Sequence, residues 1–310
     1  MTLQQQLDER TFTFIGVTTG QSAIVEIFPR WMADLGADVR LVGVDLPIHA
    51  APERYRAVVT QIKRDPRALG GLVTTHKIDL LQAARDLFDE LDPFAELCGE
   101  VSCISMRGGA LVGHAKDVIT SALSLEAIVG HGHWARSGGH VLCLGAGGAG
   151  VAITVALLTG PDRPAKIIVT DRSQARLDGL RAIHARLGAV AEVDYVCNED
   201  PRAHDALLEA LPSGSLVINA TGMGKDRPGS PITAAARFPR GGAAWELNYR
   251  GELPFLHQAR AQAQERGLTV EDGWRYFLYG WTRVIEEVLR IELTDAQFQR
   301  WSAIASQARQ

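Results

Sequence analysis

A glycine-rich turn between an apolar strand and an apolar helix constrains this chain of 310 residues more than any other feature. The strand Val141–Leu144 leads directly into the pattern G-x-G-x-x-G, and Val151–Leu158 continues as a helix. Gly145 allows the tight turn, Gly147 lets backbone N–H groups approach a pyrophosphate, and Gly150 lets the helix pack closely on the strand. The pattern predicts a dinucleotide-binding unit that begins in the middle of the chain.

A second strand and an acidic residue follow at the expected distance. The strand Lys166–Thr170 ends in Asp171, about 20 residues beyond the last glycine, where a carboxylate binds the adenosine ribose. This carboxylate favours NAD, because it repels the 2′-phosphate of NADP. Arg172 comes next and has the chemistry to hold that phosphate, so NADP is the alternative.

A loop after a later strand completes the expected cofactor site. The sequence Asn219-Ala220-Thr221-Gly222-Met223 follows the strand Leu216–Asn219, and Met223 is expected to pack near the nicotinamide ring. The residues predicted to bind the cofactor are therefore Gly145, Ala146, Gly147, Gly148, Ala149, Gly150, Asp171, Arg172, Asn219, Ala220, Thr221 and Met223.

Strands and helices alternate along nearly the whole chain, which predicts the α/β class with parallel sheets covered by helices on both faces. The predicted strands are Phe12–Val17, Val39–Val44, Leu69–Thr74, Val101–Met106, Val141–Leu144, Lys166–Thr170, Val193–Cys197, Leu216–Asn219 and Ala243–Leu247. The predicted amphipathic helices include Ile24–Leu35, Pro52–Arg64, Ala203–Ala210 and Phe255–Gly267.

Because the glycine turn opens a new unit in mid-chain, we expect two lobes. Residues 1–117 with 273–310 are predicted to form an α/β substrate and catalytic domain, and residues 118–272 a doubly wound Rossmann domain. The expected link is the helix Asp117–Val129 and the loop Gly130–Gly139. The C-terminal helices Gly273–Ile291 and Thr294–Gln307 have broad apolar faces, so we expect them to return to the first lobe and leave a cleft between the lobes.

Composition narrows the class of protein. Apolar residues make up 46% and charged residues 22% of the chain, as in soluble globular proteins, and the net charge of −4 argues against nucleic-acid or membrane-surface binding. No apolar run has the length of a membrane span and the start of the sequence is polar, so a cytoplasmic location is expected. Cys143 and Cys197 lie on apolar strands and are predicted to be buried. His131 and His133 have no third ligand nearby, and no metal is expected.

Two segments outside the cofactor pattern place an ionisable residue at a strand-to-helix junction, where open α/β sheets usually have their sites. One runs from Gly70 to Lys77, and the other is a hairpin end that runs from Gly113 to Asp117. Lys77 and Asp117 are therefore candidate catalytic residues. The alternative is that Lys77 only starts an exposed helix and that Asp117 only caps one.

The order of these signals resembles the shikimate dehydrogenase family over nearly the full length. The shared elements are a G-x-x-x-x-x-S element ending at Ser22, a V-T-x-x-K-like segment, a G-x-x-x-D helix start, the glycine turn, the N-A-T loop and a C-terminal G-x-x-x-x-L helix. The resemblance implies an NAD(P)-dependent oxidoreductase, with a homodimer as a further expectation. It also implies that Lys77 and Asp117 flank the reacting hydroxyl.

The chemistry of alcohol oxidation suits these two residue types. Hydride leaves for the nicotinamide while the hydroxyl proton must also leave, and a neutral lysine or an adjacent carboxylate accepts that proton. In the reverse direction, the Lys77 ammonium stabilises the charge that grows on the carbonyl oxygen.

The departures from the family pattern concern the groups that hold the substrate. The S-x-S-P turn is Ser22-Ala23-Ile24-Val25, V-N-T is Val101-Ser102-Cys103, N-T-D is Ala115-Lys116-Asp117, and the helix start at Gly273 lacks the usual glutamine. The V-T segment is also one residue short of the usual spacing and lacks its proline. Each lost buried hydrogen bond costs about 1 kcal/mol, so shikimate should bind poorly. A different polar cyclic or hydroxy-acid substrate is expected.

The remaining polar groups supply candidates for binding this small-molecule substrate. The candidates are Ser22, Thr74, Ser102, Tyr249 and Tyr276, with Lys116 and Asn248 in addition. Lys116 can either meet a substrate carboxylate or be solvated.

Two other functions fit parts of the sequence. A cofactor-binding regulatory protein without turnover fits the altered substrate residues, although Lys77 and Asp117 are both kept. A methylenetetrahydrofolate dehydrogenase-like enzyme shares the lobed architecture and the catalytic lysine. Its Y-x-x-x-K signature is absent, because Val73 stands where the tyrosine belongs.

Overall fold

The computed structural model describes residues 10–188, 191–225 and 227–308. The chain divides into two compact units, Met1–Lys116 with Gly280–Gln310, and Asp117–Tyr279. Each unit is a sheet with flanking helices, which confirms the predicted α/β class.

The first unit contains a mixed sheet in the strand order β2-β1-β3-β5-β6-β4. Its strands are β1 (Arg10–Gly16), β2 (Val39–Asp45), β3 (Ala68–Val73), β4 (Glu90–Leu91), β5 (Cys103–Arg107) and β6 (Ala110–His114). Strands β1, β2 and β3 are parallel as predicted, whereas β5 is antiparallel to both β3 and β6. The link between β5 and β6 explains why these two strands are antiparallel to each other. Gly108 and Gly109, at φ 58° and 91°, form the two-residue turn of a hairpin.

The first two helices of the first unit have the predicted bounds. They are α1 (Ile24–Leu35), α2 (Pro52–Arg64), α3 (Lys77–Ala84) and α4 (Pro93–Cys98). Helix α1 ends at Gly36 in the left-handed region, at φ 68°. Helix α2 has a proline at its first position and Lys63 and Arg64 in its last turn, which suits the helix dipole.

The second unit contains a fully parallel sheet in the order β12-β11-β10-β7-β8-β9. Its strands are β7 (Val141–Leu144), β8 (Lys166–Asp171), β9 (Glu192–Cys197), β10 (Leu216–Asn219), β11 (Ala243–Glu246) and β12 (Thr269–Glu271). The chain proceeds from β7 through β8 to β9 and then crosses to β10 on the other side of β7. This reversal between β7 and β10 is the position where doubly wound sheets bind their ligands.

The helices of the second unit include one that the sequence did not predict. They are α5 (Asp117–Val129), α6 (His133–Ser137), α7 (Gly148–Thr159), α8 (Gln174–Arg186), α9 (Pro201–Glu209) and α10 (Pro254–Arg266). Helix α6 lies in the segment Gly130–Gly139, which was expected to be a loop. Trp134 is buried there, and the Asp162 carboxylate accepts hydrogen bonds from the N–H groups of Trp134 and Ala135, each at 3.0 Å.

Two long helices close the chain. Helix α11 (Trp274–Leu289) begins in the second unit and belongs to the first from Gly280 onward, and α12 (Asp295–Gln307) belongs to the first unit. Helix α12 packs on α1. The rings of Trp31 and Trp301 stack at 4.8 Å, and Trp31 Nε1 donates to the Trp301 carbonyl at 3.0 Å.

Cysteine burial matches the sequence in one place and not in another. Cys143 is buried in the central strand β7, as predicted. The prediction for Cys197 is wrong, because this residue is exposed at the end of β9, an edge strand with a neighbour on one side only.

No helix in the described part of the chain has the length and apolar composition needed to cross a membrane. Within the same residues, no three His, Cys, Asp or Glu side chains are grouped as ligands for a metal ion.

Candidate active site

The predicted site residues of the first unit lie at one edge of its sheet. Thr74 follows β3 directly, and Lys77 begins α3 three residues later. Ser102 precedes β5, and its carbonyl accepts a hydrogen bond from Val73 N–H at 2.9 Å, at the end of β3. Ser22 follows β1 and a short 3₁₀ turn. The structure therefore brings Ser22, Thr74, Lys77 and Ser102 to the carboxyl end of the parallel strands β1 and β3.

The turn that leads to Ser22 is held by the end of the neighbouring strand. The Asp45 carboxylate accepts hydrogen bonds from the Thr19 hydroxyl at 2.7 Å and from the Thr19 N–H at 2.8 Å. Both bonds stabilise the ionised form, so they lower the pKa of Asp45. The turn between β1 and α1 is thereby fixed to β2.

A buried histidine shapes the turn before Lys77. His76 is 1% exposed; its Nδ1 lies 3.1 Å from the Tyr55 hydroxyl and its Nε2 lies 3.1 Å from the Leu46 carbonyl oxygen. Thr75 adopts a positive φ of 55°, a conformation that a β-branched residue keeps only where its surroundings impose it. The two contacts of His76 provide such a constraint in a segment that lacks the family's proline.

Ser102 joins the segments that precede the two candidate catalytic residues. Its hydroxyl oxygen accepts a hydrogen bond from Lys116 N–H at 2.8 Å, and the neighbouring Val101 N–H donates to the Lys77 carbonyl at 3.2 Å. Ser102 itself is 2% exposed. Asp117 follows Lys116 as the first residue of α5, in the second unit.

Lys116 belongs to a charged cluster within the first unit. Its Nζ lies 2.6 Å from Oε2 of Glu287 on α11, and Arg107 donates to the other oxygen of that carboxylate. His114 Nε2 lies 3.5 Å from the same Oε1. The Lys116 side chain is only 14% exposed, so it is mostly shielded from solvent and already paired with a carboxylate of the protein. The sequence did not foresee this partner.

Glu287→Gln should lower the free energy of unfolding by about 3 kcal/mol at neutral pH, because it leaves Lys116 and Arg107 without their counter-charge. Burial alone would raise the pKa of Glu287, but the bonds from Lys116 and Arg107 outweigh burial and lower it from 4.5 to about 2. The carboxylate therefore stabilises the fold above pH 4.5, and this contribution disappears as the pH falls to about 2.

Chemical denaturation of the unmodified protein and of Glu287→Gln, between about pH 2 and neutral pH, measures the difference in their free energies of unfolding. The difference between them should shrink as the pH falls, and Glu292→Gln, at an exposed position on the segment after α11, serves as the control. A difference that stays constant with pH would contradict the assigned ion pairs.

The glycine turn of the second unit has the shape that a dinucleotide requires. Gly145 has a φ of +114°, and a Cβ on it would lie 2.6 Å from the Ala220 carbonyl oxygen. A Cβ on Gly150 would lie 2.1 Å from the Gly145 carbonyl oxygen, whereas a Cβ on Gly147 would meet open space. Gly147 caps α7 without a side-chain acceptor, so the first turn of the helix offers its N–H groups to an anion. These residues fit a pyrophosphate.

Asp171 at the end of β8 is tied to this turn. Its Oδ2 accepts a hydrogen bond from Ala146 N–H at 2.9 Å, and its Oδ1 accepts one from Ser173 N–H at 2.9 Å. The residue is 9% exposed, while Arg172 beside it is exposed. The carboxylate is thus fixed between the glycine turn and the start of α8.

The loop after β10 is bonded internally through side chains. The Asn219 side-chain oxygen accepts from the Thr221 hydroxyl at 2.6 Å and from its N–H at 3.2 Å. The Thr221 hydroxyl oxygen accepts from Met223 N–H at 3.1 Å. The Asn219 amide nitrogen donates to Oε2 of Glu246 at 2.6 Å. Glu246 was not among the predicted site residues; an acid at the end of an otherwise apolar strand was the available signal.

The two tyrosines that were predicted to bind substrate both lie in the second unit, apart in the chain from Ser22, Thr74 and Ser102. The Tyr249 ring packs at 5.4 Å from that of Trp274 and at 4.9 Å from that of Phe277. The Tyr276 ring meets Trp245 edge-on at 5.6 Å, next to the end of β11. Their rings therefore form part of an aromatic cluster around the start of α11.

Two relatives with similar sequences carry the same name. Shikimate dehydrogenase (NADP(+)) of Lactococcus lactis subsp. cremoris is 33% identical over 187 residues, which is 60% of this chain and 61% of that protein. The chain therefore spans less than two thirds of that relative's length. The enzyme of the same name from Symbiobacterium thermophilum is 31% identical over 210 residues, which is 67% of each chain.

Solved structures agree over almost the whole length. Quinate dehydrogenase from Corynebacterium glutamicum, solved in complex with NAD, superposes with a TM-score of 0.75 over 97% of this chain and 99% of its own, at 21% identity. At this identity the likeness shows the fold alone. No protein-family model matches the chain. The sequence relatives decide the assignment: this chain belongs to the shikimate dehydrogenase family.

Proposed function

We propose that this chain is an NAD(P)-dependent dehydrogenase that interconverts a secondary alcohol and a ketone. The glycine turn supports this most, because it lies where the strand order reverses between β7 and β10. Gly147 in this turn adjoins open space, and the N-terminus of α7 follows it directly. Such a turn binds the pyrophosphate of a dinucleotide. The second unit would therefore be the cofactor domain and the first the substrate domain.

Lys77 and Asp117 are proposed to handle the proton of the reacting hydroxyl. The bound nicotinamide accepts or supplies the hydride. In oxidation, the Lys77 amine or the Asp117 carboxylate accepts the hydroxyl proton, and in reduction the Lys77 ammonium returns it to the carbonyl oxygen. The contacts of His76 constrain the turn before Lys77, and the bond from Lys116 N–H to Ser102 constrains the backbone before Asp117.

We further propose that the substrate is a polar cyclic or hydroxy-acid compound other than shikimate. The altered residues of the substrate turn, Ser22-Ala23-Ile24-Val25, support this. Steady-state assays with shikimate, quinate and a panel of ring hydroxy acids test the proposal. Values of kcat/KM for shikimate at or above those of every other compound would contradict it.

The same assays separate a dehydrogenase from a regulatory protein that only binds the cofactor. Turnover of any compound, seen as formation of reduced nicotinamide, supports the enzyme. Tight binding of NADH without turnover of any compound, in either direction, supports the regulator.

For the cofactor, we propose a preference for NAD set by Asp171. A carboxylate fixed at this position accepts hydrogen bonds from ribose hydroxyls and repels a 2′-phosphate. Asp171→Asn keeps an acceptor for Ala146 N–H but removes the charge. The ratio of kcat/KM for NADP to that for NAD should therefore rise about tenfold or more, which corresponds to about 1.4 kcal/mol.

The control for this comparison is Asp178→Asn, which removes an exposed carboxylate from α8. It should leave the ratio unchanged. An equal ratio in the Asp171 variant and the unmodified protein would overturn the assignment of Asp171. The homodimer and the cytoplasmic location remain predictions from the sequence and the resemblance.

A further inference from the structure

Glu246, the last residue of β11, is a fully buried carboxyl group bonded by neutral amides. It is 0% exposed. Its Oε1 accepts from the Asn248 N–H at 2.8 Å and from the Asn248 side-chain amide at 2.6 Å, and its Oε2 accepts from the Asn219 amide at 2.6 Å. Neutral donors at both oxygens make this an unusual place for an acid, because a buried carboxylate is normally paired with a cation.

The amides that bind Glu246 also bind the loop Asn219–Gly224. In both Asn219 and Asn248, the side-chain nitrogen that donates to Glu246 also lies 3.3 Å from the Met223 carbonyl oxygen. The other end of the Asn219 amide accepts from Thr221, and Thr221 accepts from Met223. One carboxyl group therefore fixes the orientation of Asn219, and Asn219 fixes both ends of the loop.

The hydrogen bonds of this arrangement favour the ionised form of Glu246. A carboxylate only accepts hydrogen bonds, and here all three contacts are donors that point at it. If Oε2 carried a proton directed at Asn219, the carboxyl O–H and the Asn219 N–H would be two donors opposite each other, with no acceptor between them. Asn219 could accept that proton only if its amide group flipped. The flip would place the amide nitrogen, a donor, where the oxygen now accepts from Thr221, and these bonds within the loop would be lost.

Among the described residues, most charged side chains on the neighbouring elements are paired. Glu271 on β12 binds Arg275 on α11 at 3.0 Å, and Arg227 beyond the loop donates to the Thr221 carbonyl at 2.8 Å. Lys225, which follows the loop, also has a partner. The carboxylate of Asp272, just after β12, acts unfavourably on Glu246. Burial raises the pKa of Glu246 to about 7; the bonds from Asn248 and Asn219 oppose burial and Asp272 adds to it.

We propose that Glu246 is a positioning residue for the loop Asn219–Gly224, and that loss of its proton orders this loop for the nicotinamide end of the cofactor. The role assigned to the loop rests on the proposed function. The proton-linked order of the loop rests on the hydrogen bonds alone. Cofactor binding should therefore weaken below neutral pH for a reason that involves neither Lys77 nor Asp117.

Hydrogen exchange of the free protein tests the order of the loop without any cofactor. The N–H groups of Thr221 and Met223 both donate within the network, so their protection reports on it directly. Glu246 lies in β11 and not in the loop, so it stays buried when only the loop opens, and the opened state loses the Asn219 bond that lowers the carboxyl pKa. The opened state therefore holds the proton more tightly than the ordered state does. After correction for intrinsic rates, the protection of both N–H groups should rise roughly five- to tenfold from about pH 6 to about pH 8.

Glu246→Gln supplies the permanently uncharged form. Its amide nitrogen would face the Asn219 amide or the Asn248 donors, so the loop should exchange fast at every pH. Glu252→Gln, an exposed change in the same unit, should behave as the unmodified protein does. Equal protection at both pH values in the unmodified protein, or full protection in Glu246→Gln, would overturn the proposal.

Titration with NADH over the same pH range tests the link to the cofactor. The Kd should tighten roughly fivefold or more towards pH 8 in the unmodified protein and stay flat in Glu246→Gln. If the second unit does not hold a nicotinamide cofactor, NADH will not bind, while the exchange result will still show whether Glu246 orders the loop; whether the protein turns over a substrate is decided separately by the assays above. A Kd with the same pH dependence in both proteins would show that Glu246 does not position the loop for the cofactor.

Discussion

Lys77→Met should lower kcat by about a thousandfold while leaving the Kd for NADH unchanged. Methionine keeps the length of the side chain but can neither exchange a proton nor stabilise a developing alkoxide, and such groups contribute about 10²–10⁴ in rate. Lys77 is the first residue of α3, after a turn whose shape is set by His76 and Thr75, so the change should not disturb the fold. Steady-state kinetics with the substrate that turns over best, together with NADH titration, measure both quantities.

Lys166→Met is the matched control for this experiment. Lys166 is the first residue of β8, at the end of that strand away from the glycine turn, and it is paired with Glu192 and Asp194. Its loss should therefore not change kcat. The assignment fails if the Lys77 variant keeps full activity. It also fails if the main effect is lost NADH binding, since that would place Lys77 in the wrong role.

Two glycine substitutions in the same turn should have opposite consequences. In Gly147→Ala the new methyl group meets no protein atom, so stability should change by less than about 1 kcal/mol. The methyl group would occupy the space that a pyrophosphate needs, and the Kd for NADH should rise at least about tenfold. In Gly150→Ala the methyl group would lie 2.1 Å from the Gly145 carbonyl oxygen, so the backbone must move. That variant should lose about 2–3 kcal/mol of stability.

Thermal or chemical unfolding and NADH titration of both variants test this pair. Gly147→Ala should be stable but bind poorly, and Gly150→Ala should be unstable. If Gly147→Ala binds NADH as tightly as the unmodified protein does, the glycine turn is not where the pyrophosphate lies.

Local patterns predicted much of the fold. The structure reproduces the helices Ile24–Leu35, Pro52–Arg64 and Asp117–Val129 and the strands Val141–Leu144 and Leu216–Asn219 to the residue. Apolar spacing together with proline and glycine at the ends determines such elements locally. The reversed direction of β5 was harder to predict, because it depends on how this strand pairs with β3 and β6 rather than on its own residues.

The positions of the proposed site residues, though not their roles, were predictable where they lie at strand ends. The glycine turn, Asp171 and Lys77 all follow strands that are visible in the sequence. The partners of those residues were not predictable. Glu287 meets Lys116 across 171 positions of sequence, and no periodicity links two residues so distant. Glu246 was missed for the same reason, because its importance comes from Asn219 on the neighbouring strand.

The most direct test is the formation of reduced nicotinamide by the unmodified protein with a panel of ring hydroxy acids and with NAD and NADP in turn. We expect turnover of at least one compound, slower turnover of shikimate, and NAD as the better cofactor. If NADH binds tightly and no compound in the panel is oxidised, and no corresponding ketone is reduced, the protein is not the dehydrogenase proposed here.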